Sequence, residues 1–169
     1  MLSSVTDAAT RGFHNVTLTL RDVKPTAAVL TDIFGYTLQE QQGNRYRYIT
    51  DAVEHAAIID LLEVSNAPRG EGGAGTNHHI AFRVKNETVL MRFHEKVAGS
   101  GLNITNKIDR NYFYSLYFRE PGGVLFEIAT DNPGFGVDEP FDKLGSGLLL
   151  PPQYEANRAQ IEAVLPSLD

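Results

Sequence analysis

Two stretches of the chain alternate strictly between apolar and polar positions. In residues 12–20, Val16, Leu18 and Leu20 are interleaved with Asn15, Thr17 and Thr19. In residues 77–84, Ile80, Phe82 and Val84 are interleaved with His79, Ala81 and Arg83. A period of two predicts a half-buried strand in each case. A polar turn follows both, Arg21-Asp22 and Lys85-Asn86, and the spacing then becomes helical. Ala27, Val29, Leu30, Ile33 and Phe34 form an apolar stripe between Pro25, near a helix start, and Gly35, its stop. Val89, Leu90, Phe93 and Val97 form the second stripe, ended by Gly99 and Gly101. Three further strands are expected in each half, at about 36–41, 44–50 and 56–63, then at about 103–109, 112–119 and 123–130.

The two halves share one order of elements, which points to a duplicated supersecondary unit. Such a unit cannot bury its apolar face alone, so the halves should pack together. The expected fold is α+β: two tandem βαβββ modules forming a curved, barrel-like mixed sheet within a single domain over 1–169. Module one covers about 11–65 and module two about 76–131. The Gly-rich run 67–75 reads as the loop between them. From Asn132 to Pro140 the chain becomes a wandering arm, and 154–164 reads as a short closing helix, so 132–169 is an appendage.

Side chains alternate across a strand. With Ile80, Phe82 and Val84 under the helix, His79 points to the opposite, concave side. In the last strand Val124, Phe126 and Ile128 form the helix-side row and Leu125, Glu127 and Ala129 face inward. The inward row of the neighbouring strand is Phe113, Ser115, Tyr117 and Arg119. The same rule turns Asn15, Thr17 and Thr19 inward in module one, where Asp60 takes the place of Glu127. A carboxylate inside the apolar run Val-Leu-Phe-Glu-Ile-Ala costs several kcal/mol to bury without a partner. A metal ion or an Arg would offset that cost. Alternation alone equally allows Glu127 on an exposed face, and a strand His such as His79 is commonly a hydrogen-bonded core residue.

Composition narrows the chemistry. The chain has no cysteine, which excludes disulfides and thiolate ligands and fits a reducing compartment. A net charge of −6 argues against a nucleic-acid surface. No apolar run is long enough for a membrane span, and residues 1–7 lack the pattern of a signal peptide. A soluble cytoplasmic protein is expected. Gly70 to Gly75 precedes a strand, whereas a phosphate loop precedes a helix. No serine nucleophile elbow is visible. His55 sits at a strand entrance, and His94 lies in a helix facing solvent.

At these residues the chain resembles the vicinal oxygen chelate superfamily, which includes glyoxalase I, fosfomycin-resistance proteins and extradiol dioxygenases. The runs 73–84 and 109–135 resemble the C-terminal half of two-domain ring-cleaving dioxygenases of the hydroquinone type, and 149–162 resembles the C-terminus of that family. The resemblance implies metal ligation by His79 and Glu127. It implies that Arg110 and Tyr117 orient substrate or oxygen, with His78 as a weaker neighbour in the same role. Taken alone, Tyr117 reads as a packed strand aromatic and Arg110 as a surface turn residue. The implied activity is Fe(II)-dependent opening of hydroxylated aromatic rings by O2; Mn(II), Zn(II) or Ni(II) are alternative ions.

One departure matters. Non-haem iron oxygenases favour two His and one carboxylate, and this chain supplies one clear His and one clear carboxylate. The remaining family His resembles a first-strand His of an N-terminal half absent from this sequence. In module one the ligand position falls on Asn15, while His14 aligns with His78. Three readings follow. A second polypeptide, through a homodimer or a related half-chain, completes the site. Alternatively Asn15, Asp60 or His14 fills in within one two-module cavity, as in a glyoxalase-like lyase or isomerase. The third is a metal-free small-molecule binding module. The first implies a small aromatic substrate and O2 as partners, with no nucleic acid and no membrane.

Overall fold

In the computed structural model the described residues are Ala9 and 12–166, so residues 1–7, read above for a signal peptide, lie outside them. Each half builds a four-stranded mixed sheet with one helix. The first contains β1 (Asn15–Leu20), α1 (Lys24–Ala28), β2 (Thr37–Gln42), β3 (Arg45–Ile49) and β4 (Ile58–Glu63). Its strand order is β1-β4-β3-β2, with β1 parallel to β4 and the other pairs antiparallel. The second contains β5 (Ile80–Val84), α2 (Glu87–Gly99), β6 (Ile108–Asp109), β7 (Phe113–Arg119) and β8 (Leu125–Pro133). Its order, β5-β8-β7-β6, repeats the first.

Local chemistry sets the differences between the halves. Asn86 caps α2, its Oδ1 accepting from the Val89 N–H at 3.1 Å. The helix of the first half is shorter and runs on as a π-helical turn, Val29–Ile33. There the Thr31 hydroxyl donates back to the Ala28 carbonyl at 3.3 Å, which competes with the helical ladder. Gly35, at φ 75°, then ends it in a conformation that favours glycine. The strand expected over 103–109 contracts to Ile108–Asp109 plus one bridge from Ile104 to Phe118. Ile104 and Ile108 are its only strongly apolar residues and lie four apart, so no period-two row holds it to the sheet. The closing helix expected over 154–164 is a 3-10 turn, Pro152–Asn157, running into α3 (Arg158–Glu162).

The helix-side rows form the shared core. Leu18, Leu20, Leu30, Ile33 and Leu61 from the first half pack in one buried cluster with Phe82, Val84, Leu90, Phe126 and Ile128 from the second. Phe34 stacks on Phe82 at 3.9 Å between ring centroids, a contact worth about 0.5–1.5 kcal/mol beyond area burial. A polar latch lies beside it. The buried Thr26 hydroxyl donates to Glu120 Oε2 at 2.5 Å, and the N–H groups of Gly122 and Val124 donate to the same carboxylate at 2.8 and 2.7 Å. A Cβ on Gly122 would sit 2.5 Å from Leu20 Cδ2 and 2.8 Å from Thr26 Oγ1, so the halves can approach this closely only at a glycine.

The barrel-like closure expected from the sequence is not formed. Among the described residues, no strand of one sheet pairs with a strand of the other. The halves meet through their helix-side rows, and this turns the opposite face of each sheet away from the common core.

Candidate metal centre

Strand register brings the second-half candidates together. β5 runs parallel to β8 with Ala81 opposite Glu127, and β7 runs antiparallel to β8 with Tyr117 opposite Glu127. His79 precedes β5 by one residue and lies on the same side as Ala81. Its Nε2 is 2.7 Å from Glu127 Oε2. The Tyr117 hydroxyl donates to Glu127 Oε1, also at 2.7 Å. Glu127 is 3% exposed, so these two partners offset the desolvation of its carboxylate.

The surroundings of the pair follow from tight local structure. Asp109 Oδ1 accepts the Asn111 N–H at 2.8 Å, and Asn111 adopts φ 66°, closing the β6–β7 turn. That turn holds Arg110 over Tyr117, with the guanidinium carbon 5.5 Å from the ring centroid, in range for a cation–π contact. On the other side of the pair, His79 Nδ1 lies 2.9 Å from Nδ1 of the exposed His78. Ser115, fully buried in the same β7 row, has a hydroxyl with no hydrogen-bond partner among the described residues. His78, His79, Arg110, Tyr117 and Glu127 are therefore gathered on one sheet face.

Two donors, one nitrogen and one oxygen, converge here. Ligands at right angles on an ion held at about 2.1 Å stand about 3 Å apart, so the 2.7 Å between His79 Nε2 and Glu127 Oε2 suits a shared divalent ion. Such a donor set suits Fe, Mn, Zn or Ni. The count is short: no group of three His, Asp or Glu able to hold a metal occurs among the described residues.

The corresponding first-half residues take another arrangement. Thr17 is opposite Asp60, as Ala81 is opposite Glu127, and Arg47 is opposite Asp60, as Tyr117 is opposite Glu127. Asp60, 1% exposed, accepts from Arg47 Nε and Nη2 at 2.8 and 2.9 Å, from Arg45 Nη1 at 3.1 Å and from Asn15 Nδ2 at 2.9 Å. Arg47, chiefly by hydrogen bonding, holds the Asp60 carboxyl below the usual carboxylate range against the opposing effect of burial. The structure thus joins Asn15 to Asp60 and Asp60 to two arginines, and neither to His79 or Glu127. His14 is exposed just ahead of β1. Sequence reasoning passed over Arg45 and Arg47. Their alternation with Tyr46 and Tyr48 in Arg-Tyr-Arg-Tyr was the available signal that both face one side.

Comparison with known proteins gives a consistent picture. A family model described as the Glyoxalase/Bleomycin resistance protein/Dioxygenase superfamily matches residues 12–128. The Bacillus subtilis protein named "Putative ring-cleaving dioxygenase MhqA" is 42% identical over 160 residues, 92% of this chain and 51% of that protein. The chlorohydroquinone/hydroquinone 1,2-dioxygenase of Sphingobium indicum is 33% identical over 158 residues, 92% of this chain and 49% of that protein. A crystal structure described as a "putative dioxygenase" from Bacillus subtilis superposes with a TM-score of 0.84 at 40% identity, covering 90% of this chain and 49% of the other. The chain spans about half the length of the curated relatives it matches.

Proposed function

This chain belongs to the Glyoxalase/Bleomycin resistance protein/Dioxygenase superfamily, and from that premise we propose that it serves a metal-dependent ring-cleaving dioxygenase acting on hydroxylated aromatics of the hydroquinone type. His79 and Glu127 supply two ligands, and a second polypeptide, either another copy or a related half-chain, supplies the third. The observation that carries the reading is the 2.7 Å imidazole–carboxylate pair on a sheet face, with no third His, Asp or Glu grouped with it among the described residues. The names of the relatives point to the same chemistry and suggest a metal cofactor. Fe(II) is our assignment.

A bound ferrous ion would supply the oxygen chemistry of ring opening. The chain's own groups do the rest. If His79 Nε2 were a ligand, its Nδ1 would carry the proton and could donate to His78 Nδ1, 2.9 Å away, which would fix the ring orientation. Tyr117 holds the second oxygen of Glu127, so the carboxylate presents one oxygen in a set direction. The Tyr117 hydroxyl also stands where a substrate hydroxyl would meet a proton donor and acceptor. Arg110, 3.5 Å from that hydroxyl, places positive charge beside a phenolate.

The test is anaerobic loading with Fe(II), followed by metal analysis and oxygen uptake with hydroquinone. About one iron per completed site and iron-dependent uptake are expected. Protein that retains no iron and consumes no oxygen, at concentrations favouring self-association, overturns the reading for this chain by itself. A second reading, a metal-free binding module, is favoured by one observation: Glu127 already has two hydrogen-bonding partners without an ion. It requires small-molecule affinity to be unchanged by chelators and by Glu127→Ala. A glyoxalase-like isomerase or lyase would instead stay active with redox-inert ions and without O2.

A further inference from the structure

A groove of about 570 Å³ lies along the outer margin of the second sheet, between residues 101–105 and the β7–β8 hairpin. Leu102, Ile104 and Leu125 give it apolar walls, and Thr105, Tyr117 and Arg119 line it with polar groups. Its outer wall is fixed to the strand that carries Tyr117. The Thr105 N–H donates to the Tyr117 carbonyl at 3.0 Å, and the Tyr117 N–H donates to Thr105 Oγ1 at 2.9 Å. Tyr117 is the residue the groove shares with the cluster: it lines the groove and its hydroxyl donates to Glu127 Oε1 at 2.7 Å.

Arg119 gives this groove its chemical character. It follows Tyr117 by two residues on the same strand face, about 6.6 Å along the strand. Its side chain makes one described hydrogen bond, from Nη1 to the Gly123 carbonyl at 2.9 Å, and no ion pair among the described residues. Arg45, Arg47, Arg83 and Arg158 each have a carboxylate partner. Arg21, Arg69, Arg92 and Arg110 likewise make no described ion pair, but Arg119 is the arginine that lines this groove. An uncompensated planar cation beside apolar walls suits a carboxylate carried on a small ring, which Arg can grip in a bidentate manner.

We propose that this groove selects an aromatic ligand bearing an acidic substituent, with the ring beside Tyr117 and Leu125 and its carboxylate on Arg119. The proposal rests on the functional reading above, because the His79–Glu127 site is what would hold the ring hydroxyls. It deepens that reading by naming a class of substrate: dihydroxylated benzoates rather than unsubstituted hydroquinone.

The test is anaerobic titration calorimetry on the full chain with hydroquinone, 2,5-dihydroxybenzoate and benzoate. In the unaltered protein the dihydroxybenzoate should bind about tenfold more tightly than hydroquinone. Arg119→Met should erase that difference and leave hydroquinone affinity unchanged, while Arg119→Lys retains part of it. Arg119 is exposed, and an unchanged thermal melt shows that the variant is folded. Benzoate has no hydroxyls for a metal, so its binding should depend on Arg119 and survive Glu127→Gln. Arg119-dependent benzoate binding in a protein that holds no metal would sink the dioxygenase reading and leave the groove standing. Equal affinities for hydroquinone and dihydroxybenzoate, a preference unchanged by Arg119→Met, or no detectable binding of either acid overturns the groove.

Discussion

The two sheets carry the same strand order and nearly the same register, but their outward faces have opposite electrostatic characters. On the first, Asp60 is surrounded by Arg47, Arg45 and Asn15, so guanidinium stands where a cation could otherwise sit. On the second, Glu127 has only the phenol of Tyr117 and the imidazole of His79, both of which can yield to a metal ion. Arg47 and Tyr117 hold equivalent positions opposite their carboxylates. One face has satisfied its buried charge internally and is structural. The other keeps coordinating atoms available. The contrast also argues against the first half completing the metal site proposed for the second: its carboxylate is already held by arginines.

Substitutions can break this comparison, and the largest effect should fall on the second face. Glu127→Ala should weaken divalent-metal affinity at least 100-fold, about 2.7 kcal/mol, with little change in melting temperature; competition with a fluorescent chelator measures it. Asp60→Asn should do the reverse, leaving metal affinity intact and costing about 2 kcal/mol of stability, since two arginines then face a neutral amide. Urea unfolding reads that cost. If Asp60→Asn instead abolishes metal binding, the division between the faces is wrong. Gly122→Ala, which forces a methyl into Leu20 and Thr26, should cost about 1.5 kcal/mol and lower the melting temperature. Tyr117→Phe should cost about 1 kcal/mol or less of stability and loosen metal affinity by up to about tenfold.

The smallest effect concerns pH. Asp60 is held below its ordinary value of 3.8 in the folded chain. Its contribution to stability is therefore complete above that value and is lost as the pH falls through the depressed folded-state value. Stability measured from pH 7 down to pH 3 should fall more steeply in the unaltered protein than in Asp60→Asn. Parallel curves would remove Asp60 from the account of acid sensitivity.

Strand alternation made the second face readable. Ile80, Phe82 and Val84, then Phe126 and Ile128, state which side is buried, and the placement of His79 and Glu127 on the other side follows. The same rule placed Asn15 and Asp60 on one face, but it could not reveal what they touch. That depends on the pairing of β3 with β4, which brings Arg47 opposite Asp60 and is set by tertiary packing. The latch from Thr26 to Glu120 was illegible for a similar reason: its partners lie 94 residues apart and neither falls in a periodic row. The barrel expectation failed because period-two patterns specify which face is apolar without specifying whether two apolar faces close edge to edge or back to back.

The Thr26–Glu120 latch carries a consequence for how such a chain can be divided. Severing the chain within the Gly-rich loop 67–75 would leave the Glu120 carboxyl without its Thr26 hydroxyl donor and uncover Phe82 where Phe34 had stacked. Neither fragment should persist alone, and supplied together they should reassemble. The two repeats are therefore expected to melt as a single cooperative unit, and a two-step calorimetric transition would contradict this.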